Sequence, residues 1–151
     1  MQLTLFSDYA LRIALYLASH PERRCSVDEI SRAYGISRAH LVKVVQRLTE
    51  LEMVSAARGR GGGLRLARAP EDVNVGALVR ATEPHFDLVE CFDAQRNTCP
   101  ISPACGLKGT LLRAQRAFLS VLDEQVLADY LPRREKLVTL WAPALRARAA
   151  T

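Results

Sequence analysis

Apolar side chains recur at Leu3, Phe6, Ala10, Ile13 and Leu17, in alternating steps of three and four residues. That spacing draws one stripe along a helix that ends before His20-Pro21. Ser26-Val27-Asp28-Glu29 places a serine three residues ahead of a glutamate, the pattern of a reciprocal cap, and opens a short second helix that stops at Gly35. Ser37 caps a third. Its apolar face is Leu41, Val44, Val45, Leu48 and Leu51, which leaves Ala39, Lys43, Gln46 and Glu50 opposite and Arg38 and Arg47 at the margins. Two helices joined by a short glycine-containing turn make a helix-turn-helix pattern.

Val54 to Ala57 and Leu64 to Ala67 alternate as two short strands around Arg58-Gly59-Arg60-Gly61-Gly62-Gly63. A basic, glycine-rich hairpin directly behind a helix-turn-helix reads as a wing. A phosphate-cradling loop does not fit, because no Gly-Lys-Ser/Thr follows and a strand, not a helix, comes next. A merely flexible turn is the plainer alternative. Val75 to Ala81 forms a fourth helix that breaks at Glu83-Pro84. From Gly106 to about Gln125 a long helix carries one apolar set at Leu107, Leu111, Ala114, Phe118 and Val121 and another at Leu112, Leu119 and Leu122. Such a two-sided helix needs a covering surface on both faces, and a second copy of the chain would supply one. The stretch after Pro132, with Arg133-Arg134 and Trp141, reads as a short helix followed by frayed chain.

Charge sharpens the picture. The chain of 151 residues carries a net +5, and all of that excess lies in residues 1–68, which hold 11 basic against 6 acidic side chains. Residues 31–68 alone hold 8 against 2. This focusing suits an anionic partner, nucleic acid first, although a solvated basic face would look the same. Phe, Tyr and Trp are absent between Tyr34 and Phe86, so stacking platforms for single strands are missing and double-stranded DNA is the better match. Ser37, Arg38, Ala39, His40 and Lys43 on the third helix and Arg58 and Arg60 on the wing are the candidate DNA contacts. The longest charge-free stretch, Asn97 to Leu107, is too short to span a bilayer, and the N-terminal segment lacks the basic region of a secretory signal. A cytoplasmic location with no membrane contact is the expectation.

Four cysteines in such a chain point to metal or redox chemistry before a disulfide framework. Cys91, Cys99 and Cys105 stand as C-x7-C-x5-C, with Pro100 and Pro103 stiffening the chain between them and Cys105 at the mouth of the long helix. Three thiolates on one short loop suit an iron–sulfur cluster; zinc, and thiols without metal, stay open as alternatives. Cys25 stands apart as a structural thiol. A redox enzyme with nucleophilic cysteines is the rival of another class, but His85 is the only histidine near them to serve as an acid or base.

Leu3-Thr4, Asp8-Tyr9-Ala10-Leu11-Arg12, Gly35-Ile36-Ser37, the wing from Arg58 to Leu66 and the cysteine loop ending Pro103-Ala104-Cys105 occur in an order that resembles a family of dimeric winged-helix transcriptional regulators, many of which hold iron–sulfur clusters. The likeness covers residues 1 to about 130, and within the family it lies with the nitric-oxide-sensing repressors. The branch that regulates cluster assembly carries a histidine three residues after the last cysteine, where this chain has Lys108. The resemblance implies a cluster held by Cys91, Cys99 and Cys105, 4Fe-4S in preference to 2Fe-2S. A non-cysteine fourth ligand matches Asp8 from the partner subunit, with His85, Asp87 and Asp93 as further candidates. It also implies a homodimer, a palindromic operator and nitric oxide as the signal. The expected architecture is mainly α: a winged helix-turn-helix DNA-binding domain over 1–82, a cluster-binding loop over 83–105, a dimerisation helix over 106–131 and a tail over 132–151.

Overall fold

The computed structural model describes residues 2–146. Helix α1 spans Leu5–Ala18, α2 Val27–Tyr34 and α3 Arg38–Glu50; strands β1 (Val54–Ala57) and β2 (Gly63–Leu66) follow, then α4 (Val75–Thr82), α5 (Gly106–Asp123) and α6 (Arg134–Arg146). The first three helices begin where short polar side chains can accept an orphan amide. Thr4 accepts from the Ser7 N–H, Ser26 from Glu29 and Ser37 from His40. The cap of α2 is half of the expected reciprocal box. Serine fulfils its part, while the Glu29 carboxylate turns away to accept from Tyr16 and Arg23. Burial opposes its charge, but those two donors prevail and hold the carboxyl below the usual range.

Left-handed Gly35 stops α2, and α3 then presents Leu41, Val44, Val45 and Leu48 to α1. With Ala10, Ile13, Tyr16, Leu17 and Ile30 they form one continuous core. The wing is antiparallel, with Val54 opposite Leu66 and Ala57 opposite Gly63. Its second strand starts one residue earlier than the alternation suggests. Cys25 adds a third, single-residue strand: its N–H donates to Leu64 O at 2.9 Å and its carbonyl accepts from Leu64 N at 2.8 Å. The Arg24 guanidinium donates to Gly63 O at 3.0 Å, so the residues before α2 tie down the root of the wing.

α5 ends at Asp123, short of residue 131, because α4 captures the chain there. The Asn74 amide donates to the carbonyls of Asp123 and Gln125, Val75 N–H donates to Gln125 O, and Leu127 N–H donates to Val73 O. Arg80 pairs with the Asp123 carboxylate. Gly76 makes this approach feasible, since a Cβ there would lie 2.9 Å from the Asp123 amide nitrogen and collide with its side chain. A tight 3-10 segment, Leu127–Arg133, then carries the chain to α6.

α6 is the short helix expected after Pro132, and its packing is what the sequence did not announce. Trp141 is buried, with its ring 4.7 Å from Tyr16, 5.5 Å from Tyr34 and 6.0 Å from His20. Arg134 donates to Ser19 O and Glu22. The C-terminal helix therefore completes the core of the N-terminal unit by packing on α2. The end expected to fray, residues 147–151, lies outside the described residues.

Candidate nucleic-acid interface and cysteine loop

One side of α3 is buried by the core, and its other side is exposed. Ser37, Arg38, Ala39, His40 and Lys43 are all exposed, as are Arg58 and Arg60 at the wing tip. The wing folds tightly because Gly62 passes so close to the Ala57 carbonyl that a Cβ would overlap it. Between α3 and the wing lies an open cleft of about 850 Å³. Not every predicted contact is equally free. Arg38 pairs with Asp28 at 2.8 Å, and His40 stacks 6.3 Å from Tyr9 on the α1 side of the helix. Lys43, Arg58 and Arg60 have no ion-pair partner among the described residues.

The cysteine loop has a different character. Cys91 sits in the 3-10 turn Glu90–Phe92, Cys99 receives an Asn97 side-chain oxygen on its N–H at 3.2 Å, and Cys105 is the N-cap residue of α5. All three thiols are free and half-buried. Glu90 binds the loop together, accepting from both the backbone and the hydroxyl of Thr98 and so linking the neighbours of Cys91 and Cys99. Those bonds hold its carboxyl below the usual range. Nothing in the sequence marks Glu90, for an isolated glutamate eight residues from a threonine carries no signal. Among the described residues, no three His, Cys, Asp or Glu side chains gather closely enough to hold a metal ion.

Asp8 lies in the first turn of α1, where its carboxylate takes the Arg12 guanidinium at 2.8 Å. Within one chain it is not brought to the cysteines. His85 stands 3.7 Å from Asp87, and Asp93 accepts from the Gln95 N–H at 2.8 Å. The loop is joined to α1 at another point: Glu83 accepts from the Thr4 N–H at 2.7 Å and the Thr4 hydroxyl at 3.0 Å. Cys25 is fully buried under the wing, and burial pushes its thiol up to about 11. It belongs to the core. Among the described residues no helix is long and apolar enough to cross a membrane.

Comparison with known proteins places this arrangement. The Rrf2 family, described as iron-dependent transcriptional regulators, matches residues 3–133. The HTH-type transcriptional regulator NsrR of Bacillus subtilis (strain 168) is 47% identical over 141 residues, 93% of this chain and 97% of its own length. A regulator of the same name from Halalkalibacterium halodurans is 45% identical over the same share of this chain and 97% of its own. Among solved structures, T. potens IscR superposes with a TM-score of 0.72 at 26% identity, covering 90% of both chains. The cysteine regulator CymR of B. subtilis shares the fold, with a TM-score of 0.69 at 23% identity over 87% of this chain and 97% of that one. The winged helix, the C-terminal helices and these relatives agree: the chain belongs to the Rrf2 family of transcriptional regulators and is not an enzyme.

Proposed function

We propose that the protein is a dimeric, cytoplasmic repressor that holds its palindromic operator while an iron–sulfur cluster is intact and releases it when nitric oxide attacks that cluster. The observation that carries the reading is the set of three free, half-buried thiols on one loop, attached to an exposed basic helix and wing. Its similarity over 93% of the chain to regulators named NsrR supports it further.

The donor set fits such a group in its chemistry. Cys91, Cys99 and Cys105 are soft ligands, none locked in a disulfide. Cys105 is the N-cap residue of α5 and stands beside the unpaired backbone amides of its first turn. Hydrogen bonds from Thr98 to Glu90 restrain the loop, which must still close for three thiolates to meet. A 4Fe-4S cluster held by Cys91, Cys99 and Cys105 would supply iron open to nitric oxide. Asp8 of the partner subunit would give the fourth, harder ligand, exchanging its Arg12 pairing for the metal. α1 packs on α3, so a hold on Asp8 is a hold on the recognition helix, and two such holds fix the spacing of two recognition helices. α5, with no buried residue along 18 positions, has the free surface a second copy requires.

The test is an anaerobic titration of reconstituted protein with nitric oxide, following visible absorbance and DNA gel shift in wild type and Asp8→Ala. Wild type should release DNA as the chromophore bleaches, and Asp8→Ala should bind DNA more weakly from the start. Undiminished DNA binding by fully reacted wild type would remove the sensor role.

A further inference from the structure

The cleft between α3 and the wing is bounded on the helix side by Arg38, Val42 and Gln46 and on the wing side by Arg58 and Gly59. Val42 is 40% exposed, while Leu41, Val44, Val45 and Leu48 beside it are buried. A single exposed valine needs no explanation on an ordinary surface. This one stands one helical turn after Arg38 and one before Gln46, so the three side chains form a ridge along the cleft. Of the charged groups around it, Arg38 has Asp28 as partner and Glu50 has Arg47, whereas Arg58 on the far wall has none among the described residues. Beside the small alanines of the wing, the cleft thus offers an exposed valine on a helix facing an unpaired cation on a hairpin.

That pattern complements the edge of a DNA major groove. Phosphates suit Arg58, and the apolar group that base edges display there is the 5-methyl of thymine. We infer that Val42 reads sequence, and that its partner is a thymine methyl in each half-site. The inference rests on the DNA-binding reading above and goes beyond it by naming the reading residue and the atom read. Valine has no donor or acceptor, so it discriminates by contact alone: cytosine presents a bare ring edge and an amino group that Val42 leaves unsatisfied.

The experiment begins with duplexes selected from a random pool by the wild-type protein. Each thymine of the enriched sequence is then replaced in turn by uracil, which pairs identically and lacks only the methyl. At one position per half-site the exchange should weaken wild-type binding about four-fold, and about fifteen-fold when made in both half-sites, the effect of losing one buried methyl at each. Val42→Ala should bind the thymine and uracil duplexes equally, with Val42→Thr, which keeps a methyl, falling between. Because Val42 is exposed, melting curves of all three proteins should coincide. Enriched duplexes bound by wild type with no sensitivity to uracil overturn the role of Val42 and leave the DNA-binding reading standing. Equal thymine preference in wild type and Val42→Ala does the same. Failure to enrich any duplex overturns both.

Discussion

The winged-helix unit and the segment from Glu83 to Asp123 are built on different physical terms. In the first, α1 to α3, the wing and α4 bury a shared set of side chains, and Ile13, Tyr16, Leu48 and Leu78 lose all contact with water. In the second, no residue of α5 is buried, and the loop before it is held by hydrogen bonds that Glu83 and Glu90 accept and Gln115 donates. Local stability follows buried apolar contact, so the first region should open only with global unfolding and the second far more readily. The proposed sensor role would need that division: a rigid reader of DNA, and a loop soft enough to close around a ligand and reopen.

The four thiols report the contrast with the largest expected effect. Cys25 is buried at the root of the wing and its thiol is pushed up to about 11 from an ordinary 9.0, so its thiolate fraction is lower by about a hundred-fold before access is counted. Cys91, Cys99 and Cys105 stand half-buried in the loop. In metal-free protein at neutral pH, an alkylating agent should modify three thiols promptly and the fourth more than about a hundred-fold more slowly, a count that intact-mass spectrometry gives directly. Four thiols reacting at one rate would erase the distinction between the regions.

α6 sharpens the boundary, because in sequence it belongs with the softer half and in space with the rigid one. Trp141→Ala removes the ring packed on Tyr16, Tyr34 and His20 and should cost about 3 to 5 kcal/mol, read as a large drop in the midpoint of thermal or urea unfolding. A change below about 0.5 kcal/mol would return α6 to the status of a loose tail.

What was legible in the sequence follows the same division. The stripes of α1 and α3, the caps at Ser26 and Ser37 and the glycine turn are local patterns, each fixed by residues within one or two turns, and the structure keeps all of them. The place of Trp141 was not legible, since its partners lie more than 100 residues away and a lone tryptophan in an Ala- and Arg-rich stretch has no periodicity to reveal a face. The end of α5 was hidden for a similar reason: Asn74, Gly76 and Arg80 stop it from a distance, while Gln125 and Val126 alone would continue a helix. The three loop cysteines could be grouped by spacing. Glu90 and Glu83, which shape the loop and its tie to α1, could not, because an acidic side chain announces its partner only once the chain has folded.

The smallest effect on the fold is expected in α5, and it tests the contrast from the other side. Leu107 and Val121 are 62% and 59% exposed, so replacing both by Ser removes little buried area within the chain and should cost the folded monomer no more than about 1 kcal/mol. Exposed apolar residues on a helix with no fully buried side chain should matter instead for association, where they lose the rest of their contact with water only in the presence of a second copy. Sedimentation equilibrium of wild type against Leu107→Ser/Val121→Ser should show a dimer dissociating to a monomer of unchanged helix content. The same variant should bind a single half-site as wild-type monomer would and lose its preference for palindromes, because the recognition helices are no longer held at one spacing. A double variant that stays dimeric would place the shared surface elsewhere, and one that unfolds outright would show that α5 belongs to the rigid region after all.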